Sequence, residues 1–202
     1  MVAGNSHFGN IKDLVMRCVI LNISEWEAFK ESFTLIKVPA KKILLKKGQV
    51  AHHLYFVNHG ILRLYYINSR GEDITAFFFK EKLFAGSYES FILQKPSLQQ
   101  IEALEDTELL SISFDKLQEL YKEIPKINIL TRVITEQRFI TGQEIFSSFI
   151  LKTAEERYVL FSEKHPDLLL RVPLQYVASF LGMTAVSLSR IRRRLIKSSL
   201  IS

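Results

Sequence analysis

Between positions 38 and 113 apolar residues recur with a period of two, in short runs separated by turn residues, over some 75 positions. No other feature constrains the fold as much, because alternate side chains on a strand face opposite ways and a helix cannot use that period. The runs fall at 43–45, 54–57, 61–67, 73–79, 99–103 and 108–113. Turn signals punctuate them at Lys47-Gly48, His59-Gly60 and Asn68-Ser69-Arg70-Gly71. The three glycines lie 12 and 11 positions apart, about one strand plus a turn, and are predicted to supply positive φ at the corners. Evenly spaced short strands of this kind predict a rolled or closed antiparallel sheet.

Helical periodicity flanks the strand region. Residues 11–36 carry Trp26, Phe29 and Phe33 at spacings of three and four, with Ser24 and Glu27 placed as a capping box. After Phe114 a short helix over 115–123 is predicted to stop near Pro125. A long helix then runs over 125–152, with Pro125 suited to its first turn and Gly142 its only weak point. Ile127, Leu130, Ile134, Ile145 and Phe149 are among its apolar positions, and Gln137, Arg138 and Thr141 interrupt them. Such a helix is about 40 Å long, more than a small roll can cover, so a second copy across a two-fold axis is the expected cover. A helix over 154–164 and a short strand over 168–172 follow.

Charge is placed unevenly. Of 27 basic residues, six (Arg171, Arg190, Arg192, Arg193, Arg194 and Lys197) follow Asp167, and none of the 21 acidic residues does. The whole net charge of +6 therefore sits in the last 35 residues, which suits a polyanionic partner. The single cysteine, Cys18, leaves no internal disulfide framework. No apolar run reaches the ~18 residues of a membrane helix and no signal peptide is evident, so a cytoplasmic protein without a membrane partner is expected.

The basic tail has a shape. Pro173 stands where a helix begins, Val177, Ala178 and Leu181 form a stripe to be buried, and Gly182 breaks the helix. Thr184 is placed to cap a second helix in which Leu188, Ile191 and Leu195 recur at three and four. Opposite that stripe lie Val186, Ser189, Arg190, Arg193 and Lys197. A helix so built can enter the DNA major groove with its first turns on the base edges. Arg190 is the candidate for a bidentate contact with guanine, and Ser187 and Ser189 for bases or phosphates. Ala185 and Val186 lack hydrogen-bonding side chains and can only touch a thymine methyl. Arg192, Arg193, Arg194 and Lys197 suit phosphates. Four such contacts imply a log–log salt slope of about −3.6 per monomer.

In these motifs the chain resembles the Crp/Fnr family of regulators with a cyclic-nucleotide-type domain. The roll part of the resemblance is carried by Lys47-Gly48, Leu54-Tyr55-Phe56-Val57, Gly60-Ile61-Leu62-Arg63-Leu64 and Gly71-Glu72. The helix-turn-helix part is carried by Val177-Ala178, Leu181-Gly182-Met183-Thr184 and Leu188-Ser189-Arg190-Ile191. The resemblance runs from about Ile43 to the end of the chain. It implies a homodimer, a double-stranded β-roll, and a winged helix-turn-helix on near-palindromic DNA.

Two departures stand out. Members that bind cyclic AMP carry a glycine-glutamate pair and a later arginine in a phosphate-binding cassette. Here Gly86 is followed by Ser87, and Ser97 or a neighbour occupies the arginine position. Lys95 cannot offer a guanidinium fork in its place. No cyclic AMP binding is expected, although another small effector could sit near Gly86, Ser87, Tyr88 and Ser97. In the second helix Val186 stands where the family commonly has glutamate, which implies a changed operator. Because the sequence ends at Ser202, the wing is expected to be truncated.

Other chemistry finds little support. His52, His53 and His59 have no carboxylate or cysteine at a metal-ligand spacing, and Asp106 and Glu108 read as solubilising charges. No phosphate-binding glycine loop or nucleophile motif occurs, so neither catalytic residue, metal nor cofactor is expected. The expectation is an α+β chain: a sensory β-roll with N-terminal helices (1–124), a dimerisation helix (125–152) and a helix-turn-helix domain (153–202). Its expected partners are double-stranded DNA, a second copy, an effector of open identity and, for an activator, RNA polymerase. The competing expectation is a small-molecule module whose degenerate helix-turn-helix serves protein interaction, suggested by the neutral Ala185-Val186 pair.

Overall fold

The computed structural model describes residues 7–199, the last three as helix backbone only. The chain forms two compact units. The first comprises residues up to Tyr66 together with Phe77–Gln137, and the second Ile67–Ala76 together with the residues from Arg138 onward.

The first unit starts with two helices, α1 (Gly9–Cys18) and α2 (Ile23–Glu31), followed by strand β1 (Thr34–Val38). The stretch expected to be helical over 11–36 thus holds two helices and the start of a strand. Asn22 explains the second helix start: its side chain accepts the Glu25 N–H at 2.9 Å, and the Glu25 carboxylate accepts the Asn22 N–H at 2.7 Å. The capping box is therefore Asn22 with Glu25, not Ser24 with Glu27. Position 34 switches to strand because its partner is distant: Thr34 faces Ser111.

Strands β2 (Ile43–Leu45), β3 (His53–His59), β4 (Leu62–Ile67), β5 (Asp73–Phe79), β6 (Phe84–Ala85), β7 (Gln99–Ala103) and β8 (Thr107–Ser113) complete the β region. They form two four-stranded sheets, ordered β1-β8-β3-β6 and β2-β7-β4-β5, in which β8 pairs antiparallel with β1 and β3, β3 with β6, and β7 with β2 and β4. This is the expected double-stranded roll. Gly48, Gly60 and Gly71 take φ of 87°, 97° and 79°, as their spacing predicted. At Gly60 the requirement is double, since an added Cβ would lie 2.6 Å from Thr107 Oγ1.

The core explains the chain's aromatic content. Phe56, Phe79, Phe91, Ile61, Leu62, Leu109 and Leu110 are fully buried. An aromatic run fastens α2 to the sheet: Phe29–Phe33 (centroids 4.9 Å), Phe33–Phe84 (6.5 Å) and Phe84–Phe56 (5.2 Å). Between β6 and β7 lies a short helix, α3 (Tyr88–Leu93), which the sequence pattern did not reveal. Helices α4 (Phe114–Glu123) and α5 (Lys126–Leu151) follow. α5 buries Ile127 and Leu130 near its start, whereas Phe139, Ile140, Phe146 and Ile150 farther along are half or more exposed. Arg138, on the same helix, is pushed down to about 10 by burial.

The second unit continues with α6 (Ala154–Lys164), α7 (Pro166–Arg171), α8 (Leu174–Phe180) and α9 (Ala185–Ser199). The strand expected over 168–172 is the helix α7: Pro166 presets its first turn and Leu168 is buried. Among the described residues, no helix is long and apolar enough to cross a membrane.

Candidate nucleic-acid interface

Helices α8 and α9 are joined by a turn whose geometry follows from its residues. Gly182 has φ of +68°, and a Cβ there would meet the Phe149 ring at 2.6 Å. The turn therefore needs glycine for both conformation and space. Thr184 caps α9: its Oγ1 accepts the Ser187 N–H at 3.1 Å and its hydroxyl donates to Ser187 Oγ at 3.0 Å. Val177, Ala178, Leu181 and Leu188 are buried, which fixes the two helices against each other.

A residue that sequence reasoning passed over braces the turn. Arg157 of α6 donates to the Leu181 carbonyl at 3.0 Å and the Lys152 carbonyl at 2.8 Å, with its guanidinium 4.8 Å from the Phe149 ring centre. Ser179 of α8 has a comparable role. Its hydroxyl accepts the Thr75 N–H at 2.9 Å and donates to the Asp73 carbonyl at 3.2 Å. No spacing in the sequence links position 179 to 73 or 75.

On α9, Thr184, Ala185, Val186, Arg190, Arg192 and Arg193 are exposed, while Ser187 and Ser189 are half-buried. Arg190, Arg192 and Arg193 make no ion pair among the described residues, so three cations line the helix without a counter-charge. Arg194 differs: its guanidinium pairs with Glu155 of α6. The Lys197 side chain lies outside the described residues.

The four residues singled out in the roll lie together at the β6–α3 junction. Gly86 is buried, and a Cβ there would stand 2.4 Å from Leu54 Cδ2. Ser87 and Ser97 are 2% and 3% exposed, so their hydroxyls need partners inside the protein. Ser97 donates to Ser87 Oγ at 2.8 Å, and Ser87 donates to Gln99 Oε1 at 2.7 Å. Gln99 closes the chain by donating Nε2 to the Tyr66 hydroxyl at 2.5 Å. Tyr88 turns outward, with its hydroxyl 3.2 Å from Thr135 Oγ1 on α5. Gln99, Tyr66 and Thr135 were not foreseen. Gln99 lies just past the cassette and was the one within reach of sequence reasoning.

Cations are poorly placed there for a phosphate. Lys95 is exposed. Arg63, 1% exposed, donates to Glu102 at 2.8 Å and lies 4.3 Å from the Tyr65 ring centre.

Comparison with known proteins agrees with this architecture. Residues 35–123 match the family model of the cyclic nucleotide-binding domain. An anaerobic regulatory protein of Pasteurella multocida is 26% identical over 200 residues, covering 92% of this chain and 72% of that protein. The c-di-GMP responsive global regulator CLP of Xanthomonas campestris shares the fold with a TM-score of 0.71 at 19% identity, over 89% of this chain and 94% of that one. A Crp/Fnr-family transcriptional regulator from Eubacterium rectale gives a TM-score of 0.69 at 18% identity, over 96% and 89% of the two chains.

Proposed function

We propose that the chain is a member of the Crp/Fnr family of transcription regulators, and that it works as a homodimer which reads DNA through α9 and binds no cyclic AMP. One observation carries the reading: α9 buries one side and turns Arg190, Arg192 and Arg193 outward without an ion pair among the described residues. In this reading Arg190 contacts guanine and Ser189 a base or phosphate, Thr184 and Ser187, bonded to each other in the cap, set the first turn at the groove, and Ala185 and Val186 face bases without hydrogen bonding. Arg192, Arg193 and Lys197 neutralise phosphates. Arg194 holds α9 to Glu155 and is left out of the phosphate set. Residues 1–124 then form the sensory part, 125–152 the dimerising helix and 153–202 the DNA-binding part.

Dimerisation is supported by the apolar residues that α5 leaves exposed. Phe139 and Phe146 are seven positions apart and 67% and 62% exposed, a spacing that one face of a partner helix can cover. Against cyclic AMP stands the Ser97–Ser87–Gln99–Tyr66 chain, whose polar groups are spent on one another. A phosphate entering there would have to break it without gaining an arginine. Calorimetry with cyclic AMP should show no heat of binding, and a sub-micromolar dissociation constant would contradict the proposal. An effector of other chemistry near Gly86, Ser87, Tyr88 and Ser97, and RNA polymerase as the partner of an activator, belong to the same reading.

Selection from random duplex DNA at stated salt tests the central point. Recovery of a two-fold symmetric sequence is expected, and a pool that never enriches would refute the reading. The 61% exposure of Val186 favours one alternative, a protein-binding role for α9. That alternative predicts that Arg190→Ala leaves DNA behaviour unchanged.

A further inference from the structure

We propose that Val186, one turn of α9 before Arg190, reads the C5-methyl group of a thymine in the major groove. The inference rests on the DNA-binding reading above and gives it a substrate chemistry. Val186 is 61% exposed in the first turn of α9, on a face whose other members are arginines and serines. An exposed β-branched residue there gains nothing from water and lowers helix propensity, so an apolar surface is its fitting counterpart. The thymine methyl is the apolar group that base edges present in the major groove, and a valine carries neither donor nor acceptor for the rest of the pattern.

Its neighbours leave it that task. Ser187 is drawn into the helix cap by Thr184, through bonds of 3.1 and 3.0 Å. Arg190 follows four positions later, about 6 Å along the axis, or roughly two base-pair steps. The half-site should therefore hold a thymine and a guanine within about two base pairs of each other.

The test uses the full chain and the duplex enriched from random DNA, with each thymine replaced singly by deoxyuridine, which removes only the methyl group. One position per half-site should weaken binding about fourfold when substituted, the worth of one buried methyl. Val186→Ala should abolish that dependence while the guanine preference persists. Deoxyuridine tolerated at every position would overturn the proposal. So would a deoxyuridine penalty that survives in Val186→Ala. If no sequence enriches at all, the DNA-binding reading fails first and this one with it, an outcome distinct from enrichment without a methyl requirement.

Discussion

The roll and the outer face of α9 both carry clusters of polar side chains, yet they treat those groups in opposite ways. In the roll, Ser97 donates to Ser87, Ser87 to Gln99 and Gln99 to the Tyr66 hydroxyl at the surface, and Arg63 is paired with Glu102. On α9, Arg190, Arg192 and Arg193 point outward with no ion pair among the described residues. A buried polar group must find its partner within the fold, whereas a surface cation can wait in water for a polyanion at little cost. The lesson is that the roll region spends its polar groups on stability and α9 keeps its own for a partner.

Substitutions can break that contrast. The largest effect on stability is expected at the inner pair. Glu102→Ala leaves the buried Arg63 cation without this carboxylate and should cost about 3–5 kcal/mol in urea unfolding. Arg190→Ala should do the reverse: unfolding unchanged within about 0.5 kcal/mol, but specific DNA binding weakened by about 1–3 kcal/mol per half-site in fluorescence anisotropy. Ser87→Ala removes one link of the inner chain and should cost about 1–3 kcal/mol of stability without creating a response to cyclic AMP.

A milder effect of the same inner kind appears with pH. Burial pushes the Glu108 carboxyl up, but hydrogen bonds from His7 and Asn58 outweigh it and hold the group below the ordinary carboxylate range. A depressed carboxylate stabilises the fold above its unfolded pKa and loses that contribution as pH falls through the folded value. Unfolding midpoints should therefore drop on acidification below the usual glutamate range, and Glu108→Gln should flatten that slope. The smallest effect concerns Arg194. Glu155→Ala removes that ion pair, and if phosphate takes the carboxylate's place the log–log salt slope of DNA binding should steepen by at most about 0.9 per protomer.

What the sequence made legible was governed by local rules. Gly48, Gly60, Gly71 and Gly182 announced their turns because positive φ is costly for other residues. The two buried stripes of the helix-turn-helix followed from spacing alone. Errors arose where two local rules competed. Phe33 prolonged the helical stripe of Trp26 and Phe29 although α2 ends at Glu31 and β1 begins at Thr34. Residues 168–172 looked strand-like until Pro166 and the burial of Leu168 made them helical. Gln99 beside Ser87, Tyr88 beside Thr135, Arg157 under the turn and Glu155 against Arg194 are meetings made by tertiary structure, and no periodicity encodes them.

The most direct measurement is anisotropy of the full chain with the selected duplex and a scrambled duplex, across salt, with and without cyclic AMP. Preferential binding of the selected duplex is expected, unchanged by cyclic AMP. Its salt slope should be about −2.7 per protomer, from phosphate contacts by Arg192, Arg193 and Lys197. Equal, weak affinity for both duplexes at low salt would contradict the account.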